Sequence, residues 1–242
     1  DWSSDVCSSD LQVINVKAGE IDIDLPGPDF IVGLCVDEDE IERSIRAGLK
    51  GHLGWDGTAF ARLDLHMARL ARSAARLGWG CDPAAARAGL HAAAPQTAAR
   101  IRLTLDATGL IDVTAAPLPP AKPLWRVGLA EARLASADPW LTVKSTNRAA
   151  YDQARATLPE GLDEVIFQNE RGEVCDGSIT TVFFDRGQGM RTPPLSCGLL
   201  PGTLRAELAC PEEILLARDL PQVRLWVGNS LRGLIPAGFI LV

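Results

Sequence analysis

The segment Leu141-Thr-Val-Lys144-Ser-Thr-Asn147-Arg148 sets one lysine in a short apolar stretch directly ahead of a helical pattern. Lysine is the side chain whose pKa falls most readily on desolvation, and the neutral amine so produced condenses with an aldehyde cofactor. Lys144 is therefore a candidate Schiff-base nucleophile. The plainer alternative is a strand-end lysine with its stem buried and its ammonium in water. A second stretch, Cys197-Gly-Leu-Leu-Pro201-Gly202-Thr203-Leu204-Arg-Ala-Glu-Leu208, opens a helical pattern with Pro and Gly. Free amides and the positive dipole end at a helix start suit a phosphate, although the same residues also serve simply to mark a helix N-terminus.

The elements that must position these groups alternate between helical and strand patterns, an α/β reading. Over Asp37 to Lys50, Ile41, Ile45 and Leu49 recur four apart and predict a helix after an acidic first turn. Leu63, Met67, Leu70, Ala74 and Leu77 form a stronger helical stripe that stops at Gly78. Ile101, Leu103 and Leu105, then Ala107-Thr-Gly-Leu, then Ile111 and Val113 predict a hairpin. Ala116-Pro-Leu-Pro-Pro-Ala-Lys-Pro123 is linker-like and divides a smaller N-terminal part from a larger C-terminal one. Beyond it, Val165-Ile-Phe and Thr180-Thr-Val-Phe-Phe184 are β-prone runs flanking a turn at Glu170-Arg-Gly-Glu.

The chain has 242 residues, 47% of them hydrophobic, enough for one large core or two modest ones. Residues 1–11 back-translate codon by codon into a short-read sequencing adapter and are set apart as an assembly artefact. Without them the formal charge goes from −7 to −4 and the cysteines from six to five, and the authentic start of the protein is left open. No apolar run approaches a membrane span and no segment reads as a cleavable leader, so the cytoplasm is the expected compartment. Cys35, Cys81, Cys175, Cys197 and Cys210 lack CxxC spacing, which argues against a disulfide framework or a zinc site and for small buried hydrophobes. A mildly acidic chain with no Lys/Arg run offers nothing to nucleic acid, which leaves a small molecule as the expected partner.

Five stretches fall in a family order: Leu65-His66-Met-Ala-Arg69-Leu70; Val143-Lys144-Ser-Thr-Asn147-Arg148; Asp163-Glu-Val-Ile-Phe-Gln-Asn169 followed by Cys175-Asp176-Gly177; Leu199-Leu-Pro-Gly202-Thr203-Leu-Arg205; and Gly228-Asn229-Ser230-Leu-Arg-Gly-Leu-Ile-Pro236. Over residues 53–242 the chain resembles the class IV pyridoxal-phosphate aminotransferases, which include branched-chain and D-amino acid aminotransferases and aminodeoxychorismate lyase. Lys144-Ser-Thr-Asn147-Arg148, Thr192-Pro-Pro-Leu-Ser-Cys-Gly-Leu-Leu-Pro201 and Asn229-Ser-Leu-Arg-Gly resemble the lyase branch most. The resemblance implies a two-domain α/β fold (residues 53–120 and 121–242) with the cofactor between the domains, pyridoxal 5'-phosphate as that cofactor, no metal, and a homodimer.

It also implies roles. Lys144 corresponds to the lysine that joins the cofactor aldehyde and, once displaced by substrate, shuttles the proton from the amine-bearing carbon. Arg69 corresponds to the arginine that grips the cofactor phosphate; as a helix residue with Arg62, Arg72 and Arg76 it also reads as part of a solvated face, yet His66 and Arg69 lie at the edge of the apolar stripe, within reach of a cleft. Asp176 stands where the family usually carries the glutamate that pairs with the pyridine nitrogen, one methylene shorter, and reads otherwise as a turn aspartate before Gly177. Gly202, Thr203 and Leu204 match the phosphate loop, with Leu204 in place of a frequent hydroxyl residue, and Ser230 matches a second hydroxyl position. Arg148 and Arg232 are candidates for the substrate carboxylate clamp.

The largest departure lies upstream. The family carries a strand resembling Phe-x-Leu-x-Glu-Thr on the substrate side of the cofactor, whereas this chain reads Arg46-Ala-Gly-Leu-Lys-Gly51-His52, and residues 12–52 are left unassigned as a possible chimeric join. The resemblance implies conversion of aminodeoxychorismate to para-aminobenzoate and pyruvate; the alternatives are transamination of a branched-chain or D-amino acid, and a truncated or degenerate domain without catalysis.

Overall fold

The computed structural model describes residues 48–241. From Leu49 the chain alternates, with Leu49, Gly51, Leu53 and Trp55 buried and Lys50, His52 and Gly54 partly exposed, which makes strand β1 (Leu49–Trp55). The helical spacing read over Asp37–Lys50 fails at its end. Leu49 belongs to a period-two set with Leu53 and Trp55, so it and Lys50 are strand residues; the remainder of that stretch lies outside the described residues, as do residues 1–11.

β1 pairs antiparallel with β2 (Ala99–Leu105), and β2 with β3 (Ile111–Ala116). The β2–β3 turn is held by Asp106, whose Oδ1 accepts the amides of Thr108 and Leu110 at 2.9 Å. Helices α1 (Leu63–Leu77) and α2 (Pro83–Ala92) pack on this sheet, burying Met67, Leu70, Ala74 and Leu90 among Leu49, Leu53, Ile101, Leu103 and Leu105. α1 carries the expected stripe and ends at left-handed Gly78, while Asp82 caps α2 by accepting the amides of Ala84 and Ala85.

After the Pro-rich segment come β4 (Trp125–Leu134), α3 (Ala149–Ala156), β5 (Glu164–Asn169), β6 (Val174–Gly177), β7 (Thr181–Asp185), α4 (Thr203–Leu208), β8 (Arg224–Asn229) and β9 (Gly233–Phe239). The six strands close a barrel in the order β4-β5-β6-β7-β8-β9, in which β4 runs parallel to both β5 and β9 and the other pairs are antiparallel. Every residue of β5 is buried. Ile166 joins one apolar cluster with Val182, Phe184 and Val227, while Val165 and Phe167 join another with Leu134, Leu141, Cys175, Cys197 and Leu199. Strands covered on both faces read as continuous apolar runs. Cys175 and Cys197 are core residues, and Cys81 and Cys210 are partly exposed.

Gly198 ends the short turn Leu195–Cys197 at φ 84°, and a Cβ there would lie 2.7 Å from Ser136 Cα. Gly187, at φ 96°, has open space around it. Gly198→Ala should therefore cost about 3 kcal/mol in urea unfolding, strain and clash together, against about 1 kcal/mol of strain alone for Gly187→Ala. Equal losses would contradict the packing around Gly198.

Candidate active site

A cleft of about 570 Å³ is lined by Lys50 and His52 of β1, Arg100 of β2, His66 and Arg69 of α1, Lys144, Asp176 of β6, Leu200, and the segments Gly202–Leu204 and Asn229–Arg232. Lys144 follows a 3₁₀ turn (Pro139–Thr142) that Asp138 caps through the Trp140 amide. Its backbone is fastened to β1: the Lys50 amide donates to the Lys144 carbonyl at 2.9 Å, the Thr146 amide to the Gly48 carbonyl at 2.9 Å, and the Gly48 amide to Thr146 Oγ1 at 2.8 Å. Leu49 thus faces Ser145 in an antiparallel bridge, and Lys50 becomes the cross-strand neighbour of Lys144. Burial, then the charges of Arg148, Arg69 and Lys50, lower the Lys144 amine to about 7, with Asp176 acting in the opposite sense.

Asp176 is buried, and its Oδ2 accepts the Leu200 amide at 3.0 Å. Oδ1 is enclosed without a hydrogen-bond partner, an arrangement that leaves a desolvated acceptor uncompensated. Burial pushes this carboxyl up to about 7. The turn after it is braced by Glu164 of β5, fully buried, which accepts the amides of Ser178 (3.0 Å) and Ile179 (3.1 Å) and the hydroxyls of Thr180 (2.9 Å) and Ser178. A Cβ on Gly177 would lie 2.3 Å from Thr180 Oγ1, so the brace requires glycine. Arg148 donates to the Ser178 carbonyl at 2.5 Å and Asn229 to that of Ile179 at 3.1 Å, tying the same turn to α3 and to the end of β8.

At the other end of the cleft, Arg69 is buried, with His66 Nδ1 3.4 Å from its guanidinium. His66 Nε2 lies 2.7 Å from Ser230 Oγ and 3.5 Å from Thr203 Oγ1. Gly202 precedes α4, whose first amides, those of Thr203 and Leu204, have no intrahelical acceptor. The Leu204 side chain packs against β8, where a Cβ on Gly228 would meet its Cδ2 at 2.6 Å, so this residue offers only its backbone. Arg62, a left-handed residue at φ 58°, clamps the helices by donating to Glu207 at 2.5 Å and 2.7 Å and to the Ser230 carbonyl at 3.0 Å.

All the residues singled out from sequence line this one cleft: Arg69, Lys144, Asp176, Gly202, Thr203, Leu204 and Ser230, with Arg148 and Arg232. The last two guanidinium groups are already engaged. Arg148 holds Asp152 at 2.8 Å besides Ser178, and Arg232 stacks 5.1 Å from the Trp125 ring and donates to the Pro120 carbonyl at 3.0 Å. Sequence reasoning missed Lys50, His52 and Arg100 on the sheet, and Glu164. The alternation from Leu49 to Trp55 was the signal for the first two.

The family model described as "Amino-transferase class IV" matches residues 33–238, which takes in residues 33–52 as well. A Schizosaccharomyces pombe protein provisionally named an aminodeoxychorismate lyase is 30% identical over 162 residues, covering 64% of this chain and 69% of that protein. Among solved structures, a Mesorhizobium loti protein provisionally named an amino-acid aminotransferase is 44% identical, covers 80% of this chain and all of its own, and superposes with a TM-score of 0.77. The 4-amino-4-deoxychorismate lyase of Pseudomonas aeruginosa shares the fold at 23% identity, with a TM-score of 0.71 over 80% of this chain and 83% of its own. By sequence and by fold, this chain belongs to the class IV aminotransferase family.

Proposed function

We propose that this chain is a pyridoxal-phosphate-dependent lyase that converts aminodeoxychorismate to para-aminobenzoate and pyruvate. The residues fit the cofactor. The partnerless Asp176 Oδ1 is an acceptor suited to a ring N–H, Lys144 is an amine lowered toward neutrality, and Arg69, Ser230, Thr203 and the Thr203 and Leu204 amides form a cradle suited to a phosphate. When bound, the cofactor would supply an electron sink for charge developing on the carbon that bears the substrate amine.

The observation that carries the substrate reading is the charge of the cleft wall. Lys50 and Arg100 of the sheet line it as the cations left to meet a substrate, and the engaged Arg148 and Arg232 add to its positive potential. Aminodeoxychorismate carries two carboxylates, whereas the apolar side chain of leucine gains nothing from a cationic wall. Lys144, as the neutral amine, takes the proton from the ring carbon that bears the amino group. The carbon–oxygen bond to the enolpyruvyl group then breaks, the leaving group takes up a proton to become pyruvate, and the ring is left aromatic; no further reactant is needed. With the cofactor bound, Asp176 would pair with its pyridine nitrogen and keep it protonated, and Arg69 would hold its phosphate. In this reading residues 53–120 and 121–242 form the two domains flanking the cleft, β1 adds its residues to the first, and the enzyme works as a cytoplasmic homodimer. The similarity to the Mesorhizobium loti protein supports a second reading, amino-group transfer between amino and keto acids.

Supplied with aminodeoxychorismate, the protein should release pyruvate and para-aminobenzoate in equal amounts; no pyruvate from aminodeoxychorismate, together with keto acid formed in separate assays from leucine or D-alanine with a second keto acid as amino acceptor, would support the second reading instead. Lys144→Ala should lower turnover at least about 10³-fold and Asp176→Asn about 10²-fold, both checked by initial rates on protein of unchanged circular dichroism. The rate at which the empty protein captures pyridoxal phosphate should rise with pH and level off above the lowered amine pKa, because only the neutral amine adds. A stopped-flow absorbance midpoint near 7 is expected from Lys144, and a rate still rising past pH 9 would mean an ordinary exposed lysine.

A further inference from the structure

The contacts around His66 fix where one proton sits. A guanidinium only donates, so the approach of Arg69 to Nδ1 at 3.4 Å makes Nδ1 the acceptor. The ring proton of a neutral imidazole then lies on Nε2, 2.7 Å from Ser230 Oγ, which receives it. The Ser230 hydroxyl has that lone pair filled and finds no acceptor among the described side chains. Its own hydrogen is free to point into the cleft that Ser230 lines with Arg69 and Thr203. In the opposite tautomer Ser230 would donate to Nε2 and have no proton left for an anion.

We infer that His66 is a positioning residue: held as the Nε2–H tautomer by Arg69, it turns the Ser230 hydroxyl into a donor for the cofactor phosphate. The inference rests on the cofactor reading above for the identity of the anion, not for the tautomer. The groups around the imidazole are Arg62, which precedes α1, Arg69 from α1, His52 from β1, Lys144, Thr203 and Ser230, and no carboxylate stands among them to hold an imidazolium. Burial and the neighbouring guanidiniums push its pKa down to about 3, which keeps it neutral across the working range.

Long-range 15N–1H correlation spectra of the histidine-labelled protein report the tautomer directly, with three histidines to assign and His66→Gln to identify the one in question. The expected result is an Nε2–H imidazole unchanged from pH 8 to pH 5. An Nδ1–H tautomer, or an imidazolium at pH 7, overturns the proposal. In equilibrium titrations with inorganic phosphate and with pyridoxal phosphate, Ser230→Ala and His66→Leu should each weaken binding about tenfold. The double variant should be no weaker than either, and His66→Gln, which keeps a donor, should recover most of the loss. Additive losses, or no recovery with glutamine, contradict the relay even if the protein binds the cofactor. If pyridoxal phosphate does not bind while the tautomer is as stated, the cofactor reading fails and the proton placement stands. His66→Leu protein that does not fold leaves the tautomer measurement and the glutamine variant as the deciding observations.

Discussion

Lys144 and Asp176 are opposite charges in one buried space, and no ion pair joins them. In a low-dielectric cleft two such groups would gain by closing on one another. Held apart, each is pushed toward its neutral form: the amine falls to about 7 and the carboxyl rises to about 7, in both cases chiefly by burial. The separation is what makes the site chemical rather than structural. It leaves an amine able to add to an aldehyde, an acceptor able to hold a ring N–H, and room between them.

The rest of the structure keeps that separation. Lys144 cannot drift toward the barrel because its backbone is paired with the start of β1, which is itself locked into the sheet from Leu49 to Trp55. Asp176 cannot drift toward the lysine because Leu200 holds one oxygen and the following turn is fastened from three sides, by Glu164, Arg148 and Asn229. Glu164 bears no resolved charge partner close enough for a strong ion pair, since Arg155 stands at 3.7 Å. Its stability inside the barrel comes from five donated hydrogen bonds, the arrangement that compensates a desolvated carboxylate. The strained Arg62 does the same for the anion end by fixing α1 to α4 and to the Ser230 loop.

Much of this was legible in the sequence. The stripe from Leu63 to Leu77 and the hairpin around Asp106 follow from periodicity and turn chemistry alone, because each is a local pattern repeated over enough residues to stand out. Lys144 and the Gly202 loop stood out locally only as candidates, each with a plainer alternative, and Asp176 read equally as a turn residue; their roles came from the order of motifs. β1 was misread because Ile41, Ile45 and Leu49 happen to fall four apart, and because two of its inward or outward positions are glycine, which blurs the alternation that Leu49, Leu53 and Trp55 carry. Glu164 was invisible for a different reason. A charge beside Val165-Ile-Phe reads as a strand edge, and only the closure of the barrel shows that it points at a turn fourteen to sixteen residues away in sequence.

The Arg148 and Arg232 side chains show the limit of motif transfer in physical terms. Both reach the cleft, yet each is committed to a carbonyl and to a second partner, so the cations left to meet a substrate are those of the sheet: Arg100, and Lys50, which the upstream departure from the family pattern concealed. The separated lysine and aspartate can be tested without any substrate. Equimolar pyridoxal phosphate followed by borohydride reduction and peptide mapping should give a single adduct per chain, on Lys144. No adduct, or label spread over Lys50 and the exposed Lys122 with Lys144 unmodified, would contradict the account.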